Sequence, residues 1–202
     1  MRHFVYFSQK ARTTGNFGDD LMKAGRMDIA CQIVIMAFFV SNAIRNNVKL
    51  HMIFNGPPDA PKHLELFPGR KLYPDDEDDE RDISKKDIAG LIKKLLYKYK
   101  PGIKNEVMPG YFVEKKSFID VINELGKERT VYLLDKKGED IRTIEIGENP
   151  VFVFGDHEGI PKIEMKKLKR INIKRVSVGD TMYFASQALT IVQNEMDRRG
   201  IE

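Results

Sequence analysis

With 202 residues, 42% of them apolar and 32% charged, the chain is long enough to bury a core without disulfides or a structural metal. Cys31 is the only cysteine, which excludes a disulfide framework within one chain, and the most apolar stretch, residues 33–40, is far below the ~20 residues that span a bilayer. A net charge of +4 fits a polyanionic partner such as a nucleic acid.

The opening "MRHFVYFSQK" is too short and polar for a secretory leader, and with a lone cysteine it leads to the expectation of a reducing, cytoplasmic setting. Residues 3–8, aromatic and β-branched, predict a strand. The polar, glycine-containing residues 9–26 predict a long loop, and loops of that length often carry function. Residues 27–45 are apolar almost all round and predict a buried helix in which Cys31 is a small hydrophobe. Residues 48–54 predict a second strand, stopped by "NGPPDAP". Seven of the nine residues 74–82 are acidic and read as a solvated surface run; without them the remainder is clearly basic. Residues 82–102 give the clearest helix: Ser84 caps it, Asp87 completes a capping box, and Ile88, Leu91, Ile92, Leu95, Leu96 and Tyr99 share one face. The lysines opposite are expected to be solvated only. Residues 117–126 predict a shorter helix closed by Gly126.

An alternation follows: strand at 130–135, strand at 151–154, helix at 163–170, strand at 171–179 and a closing helix at 181–200. The unbroken apolar run of residues 151–154 is what a strand buried on both faces requires. The predicted fold class is therefore α/β, a mostly parallel sheet flanked by helices, in a single domain over residues 1–202. In such sheets ligands sit at the carboxyl ends of strands, here Leu133–Asp135, Phe154–His157 and Val176–Gly179. No dinucleotide fingerprint, phosphate loop or nucleophile elbow is present. His3, His51, His63 and His157 are scattered without ligand spacing, so no metal site is expected. A cofactor held by backbone loops is the remaining enzyme reading.

"FVFGDHEGIP", followed by "KRVSVGDTMYFASQALTIVQNEMD", resembles the paired signature of knotted SPOUT-type RNA methyltransferases. "TTGNF", "AGRMD" and "FFVSNAIRNNV" extend the resemblance over nearly the whole chain, to the archaeal tRNA pseudouridine-54 N1-methyltransferase family, the TrmY type. The resemblance implies a deep C-terminal trefoil knot, S-adenosylmethionine as cofactor bound within roughly residues 130–202, and a homodimer. Carried over residue by residue, it implies cofactor contacts from Leu134, Gly155, Val176, Ser177, Val178, Gly179, Met182, Ala185 and Ala188. Gln187 and Ala188 stand where some relatives have histidine and cysteine, so a packing role is expected at both. Asp156 and His157 are expected to fix the loop rather than to react.

The implied substrate is the T-loop of tRNA, and the implied reaction is methylation of pseudouridine at N1. That nitrogen is free only when the sugar is attached through carbon. It is a poor nucleophile until its proton leaves or its charge is stabilised, a role suited to a carboxylate and a cation. Asp28 and Arg26 of "AGRMD" offer that catalytic pair. Lys10, Arg12, Arg45, Lys174 and Arg175 are the candidate RNA contacts. Two other readings are kept: the same chemistry on ribosomal RNA, and a non-catalytic RNA-binding dimer of the same fold.

Overall fold

The computed structural model describes residues 1–41, 43–69 and 84–202; the acidic run of residues 74–82 lies outside the described residues. In chain order the elements are β1 (Arg2–Ser8), α1 (Met27–Phe38), β2 (Phe39–Val40), β3 (Ala43–Ile44), β4 (Val48–Phe54), β5 (Lys62–Leu66) and α2 (Lys85–Tyr97). They continue with β6 (Asn105–Met108), β7 (Tyr111–Glu114), α3 (Phe118–Leu125), β8 (Val131–Asp140), β9 (Val151–Gly155), α4 (Lys162–Leu168), β10 (Ile173–Ser177) and α5 (Ala185–Arg199).

An eight-stranded sheet runs in the order β10-β8-β9-β1-β4-β5-β7-β6. Pairings from β10 across to β4 are parallel, and those from β4 to β6 are antiparallel. β1 and β9 sit in the middle and are buried along their apolar runs, as strands covered on both faces must be. Alternate residues serve opposite faces. Phe4, Tyr6 and Phe152 pack towards α1, α2 and α5, whereas Val5, Phe7 and Val153 pack towards α3 and α4. Phe152 stacks between Phe4 (5.6 Å) and Tyr132 (5.4 Å), and each such ring contributes about 2–3 kcal/mol by leaving water.

The capping box of α2 forms as predicted: the Ser84 hydroxyl accepts from the Asp87 N–H (3.3 Å), and the Asp87 carboxylate accepts from the Ser84 N–H (3.0 Å). Three expectations are corrected. The helix expected over residues 27–45 ends at Phe38, and a two-stranded ribbon, Phe39 against Ile44 and Val40 against Ala43, follows. The aromatic and β-branched Phe39-Val40 pair favours extended backbone once burial no longer imposes a helix. The closing helix begins at Ala185, not 181; residues 181–184 are non-helical and pass along the site. Finally, β5, β6 and β7 extend the sheet antiparallel, and β5 carries Lys62, His63 and Glu65 at buried positions that conceal it in a hydropathy pattern.

Candidate functional site

The middle of β8 and the carboxyl ends of β9 and β10 meet around a cleft of about 180 Å³. Ser8 closes β1, and its hydroxyl donates to the buried Asp156 carboxylate (2.8 Å) just past β9. The other Asp156 oxygen accepts from the Glu158 N–H (2.9 Å), and the Asp156 carbonyl accepts from Gly159 (2.9 Å). Asp156 is thus fully used in holding the loop of residues 155–160 against the sheet. His157 lies 3.8 Å from the same carboxylate and lines a larger neighbouring cavity.

Of the predicted cofactor residues, Leu134, Gly155, Ser177, Val178, Gly179, Met182, Ala185 and Ala188 all line the cleft. Val176 does not: it is fully buried, one residue short of the strand end, and packs into the core. The glycines act differently from each other. A Cβ on Gly155 would stand 2.4 Å from the Gly159 carbonyl carbon, so the space there is filled by the protein's own returning loop. Gly179 has open space around it but a φ of 131°, which strains any other residue. Its N–H reaches back to the Ser177 hydroxyl (3.1 Å) and fixes the turn.

Asp156, Gly159, Met182, Tyr183 and Ala185 also line the second cavity, of about 670 Å³, so the two spaces adjoin. Its far wall carries Arg26, Asp28, Ile29 and Gln32 from the start of α1. Arg26 caps that helix in left-handed backbone (φ 62°, ψ 41°), which turns its guanidinium onto Asp28: Nε and Nη2 each donate to one carboxylate oxygen at 3.0 Å. This bidentate hydrogen bond holds the Asp28 carboxyl below its ordinary range and raises the guanidinium. Asp28 is an anion at neutral pH and a weak proton acceptor. Loop residues 9–26 are tied to their neighbours: Thr13 N–H donates to the Pro57 carbonyl (3.2 Å), and the Leu21 carbonyl accepts from Met27 N–H (2.9 Å) at the start of α1.

Among the cavity residues that the sequence did not assign to a site are Gln32 and Lys85. Gln32 lies one turn beyond Asp28, and that i, i+4 spacing was the available signal. Lys85, assigned to a merely solvated face, lines this cavity from the first turn of α2. The candidate RNA cations are dispersed. Lys10 pairs with Glu158, Arg175 with Asp135 (2.5 Å), and Arg45 grips Asp197 with two bonds (2.8 and 2.6 Å). Arg45 therefore ties β3's end to α5. Arg12 lines a small hollow with Phe17 and Lys23, and Lys174 is exposed on the edge strand.

Three of the four histidines are not scattered in space. His3 Nδ1 lies 3.1 Å from His51 Nε2, His51 Nδ1 lies 3.0 Å from His63 Nε2, and His63 Nδ1 lies 3.0 Å from the Glu114 carboxylate. The row crosses β1, β4, β5 and β7 on the face that packs α3, and residue spacing along the chain could not reveal it. His51, His63 and Glu65 bring potential metal-ligand atoms within 4.8 Å of one another. The facing imidazole nitrogens bond each other, and Glu65 pairs with Lys49 (3.1 Å) and Lys104 (2.5 Å). No helix among the described residues is long and apolar enough to cross a membrane.

Residues 1–201 match a family model described as SAM-dependent RNA methyltransferase. The chain is 35% identical over 205 residues to the tRNA (pseudouridine(54)-N(1))-methyltransferase of Pyrococcus abyssi, with 100% of both chains covered. It is 37% identical to the protein of the same name from Methanocella arvoryzae, covering 98% of this chain and 100% of that one. The Methanocaldococcus jannaschii counterpart is 32% identical, with 100% and 98% covered. Among solved structures, Archaeoglobus fulgidus Nep1 bound to S-adenosylhomocysteine covers 100% of this chain and 99% of its own, with a TM-score of 0.61 at 13% identity, a likeness of fold.

Proposed function

Because the chain belongs to the family of SAM-dependent RNA methyltransferases, we propose that it methylates N1 of pseudouridine 54 in the T-loop of tRNA. The observation that carries this reading is the adjoining pair of cavities: a cleft walled by small residues and main chain opens onto the Arg26–Asp28 pair. The first cleft suits S-adenosylmethionine, since Gly159, Gly179, Ala185 and Ala188 in its wall carry little or no side chain and let a ligand lie close to the main chain. That cofactor supplies an electrophilic methyl group together with its own leaving group.

The chain's own residues supply alignment and charge. Asp28 accepts a hydrogen bond from the N1–H of the base, and Arg26 donates to the neighbouring carbonyl oxygen, where negative charge gathers as the proton leaves. With its carboxyl held low by Arg26, Asp28 is a weak base: it orients N1–H, takes the proton as the methyl group bonds to N1, and passes it on to solvent. Met182 and Tyr183, shared by both cavities, stand where the two ligands would meet. Full-length relatives bearing the tRNA name favour this substrate over ribosomal RNA, and the paired cavities favour an enzyme over a passive RNA-binding dimer.

We further infer that the chain acts as one unit in the cytoplasm, paired as a homodimer, with its C-terminal segment knotted. Support for the knot comes from β10, which pairs with residues 131–133 of β8 and then, after a register shift, with residues 139–140 on the far side of an excursion. Support for the dimer comes from Met182 and Phe184, 80% and 75% exposed, beside an apolar hollow that includes Met36 and Ile191. Light scattering should return twice the chain mass of 23.3 kDa. The decisive assay is mass spectrometry of a T-loop hairpin incubated with the cofactor. A gain of one methyl on the pseudouridine hairpin and none on the uridine hairpin is expected; equal gain on both would overturn the N1 assignment.

A further inference from the structure

The cations near the larger cavity are mostly occupied by carboxylates. Arg26 is closed onto Asp28 and Lys10 onto Glu158, while Arg175 and Arg45 point to Asp135 and Asp197 elsewhere. Lys85 is different. It is exposed at the cavity wall, and it has no hydrogen-bond or ion-pair partner among the described residues. The nearest acid in sequence, Asp87, is committed to the Ser84 capping box. Its charge lies close enough to Asp28 to help Arg26 keep that carboxyl ionised, so the ammonium and the catalytic pair share one space.

A nucleotide that enters such a cavity buries its base and leaves its phosphates at the rim. The Arg26–Asp28 pair is electrically neutral and complementary to a base edge, so it supplies nothing for a phosphate. We propose that Lys85 is the anchor for the backbone phosphate of the nucleotide whose base occupies the larger cavity. A Lys ammonium is suited to this role as a compact charge with three donors on a flexible stem, able to follow a phosphate as the base settles. The proposal rests on the RNA reading above, and it adds a residue that positions substrate without touching the reacting atoms.

The test is the salt dependence of binding. A fluorescein-labelled pseudouridine T-loop hairpin is titrated, without methyl donor, against wild type, Lys85→Gln and Lys86→Gln over a range of KCl. One lost phosphate contact on single-stranded RNA should make the log–log slope shallower by about 0.7. Lys85→Gln should show that change and several-fold weaker binding at low salt, Lys86→Gln should match wild type, and Lys85→Arg should restore most of the slope. Under turnover, Lys85→Gln should raise KM and leave kcat near wild type. An unchanged slope, or a fall in kcat with unaltered affinity, overturns the proposal, the latter because the ammonium would then act on the base. A wild type that fails to bind the hairpin overturns this proposal and the RNA reading together. Binding with the expected slope change but without methyl transfer supports the anchor and sinks only the methylation reading.

Discussion

The buried histidine row makes the fold acid-sensitive in a calculable way. Glu114, held ionised by His63, can only accept, so His63 carries its proton on Nδ1 and offers Nε2 to His51; His51 does the same towards His3. All three imidazoles are therefore neutral. Burial, reinforced by the Arg129 and Lys49 charges, lowers the pKa of His3 from 6.5 to about 3; burial also lowers His63, and His51 further. Since the folded pKa is depressed, the unfolded chain binds more protons below pH 6.5, and stability falls as pH drops from there towards 3. At pH 5 the unfolded state gains 1.5 pH units of protonation at His3 alone, about 2 kcal/mol. His51 and His63 act in the same direction. Against a typical total of about 5–15 kcal/mol this is a large fraction. Urea denaturation at pH 7 and pH 5, at one protein concentration, measures it. His3→Asn keeps a donor facing His51 Nε2 but cannot titrate, so its stability difference between the two pH values should be smaller than wild type's by about 2 kcal/mol. Equal differences for the two proteins, or a wild type more stable at pH 5, would refute the reasoning.

Two further outcomes follow from the site. Asp28→Asn should lower methyl transfer at least about 100-fold while cofactor affinity, read by calorimetry, stays within about twofold, since the carboxylate faces the second cavity and not the cleft; a matched loss in both would remove Asp28 from the chemistry. Gly155→Ala forces the returning loop outward by the overlap with Gly159, so it should cost about 1–3 kcal/mol of stability and weaken cofactor binding together; normal stability with normal affinity would show that the loop yields freely.

The parallel half of the sheet was legible because its strands carry aromatic and β-branched runs, and the cleft was legible because glycines at 155 and 179 mark where two of them leave the sheet. Eight of the nine residues assigned to it by resemblance line it. Val176 alone does not line it, because its side chain, one position before the strand end, faces the core. The antiparallel half was invisible for the opposite reason. Lys62, His63 and Glu65 are polar residues buried by specific partners: the Tyr99 ring lies 4.0 Å from the Lys62 ammonium, Glu114 faces His63 and Lys49 faces Glu65, and no hydropathy window records partners that lie far off in sequence. The same limit hid the histidine row and Lys85: each depends on which elements the sheet order sets side by side.

The closed Arg26–Asp28 pair also bears on how pseudouridine is told from uridine. Arg26 occupies left-handed backbone, a conformation costing a non-glycine residue about 1–2 kcal/mol, and in return its donors lie beside an acceptor two residues away. A pseudouridine presents the mirror arrangement, an N1–H donor next to a carbonyl acceptor, and can replace each half of the pair's contact with one of its own. Uridine has no proton at N1 and turns a glycosidic bond towards the same place. Binding it would pull Asp28 from Arg26 and leave a partly buried carboxylate without a partner. Sites built to bond a substrate N–H reject analogues lacking it by roughly 10⁴-fold or more, well beyond what a missing methylene achieves. On the proposed reading, discrimination thus follows from the ground-state ion pair itself, before any cofactor is engaged.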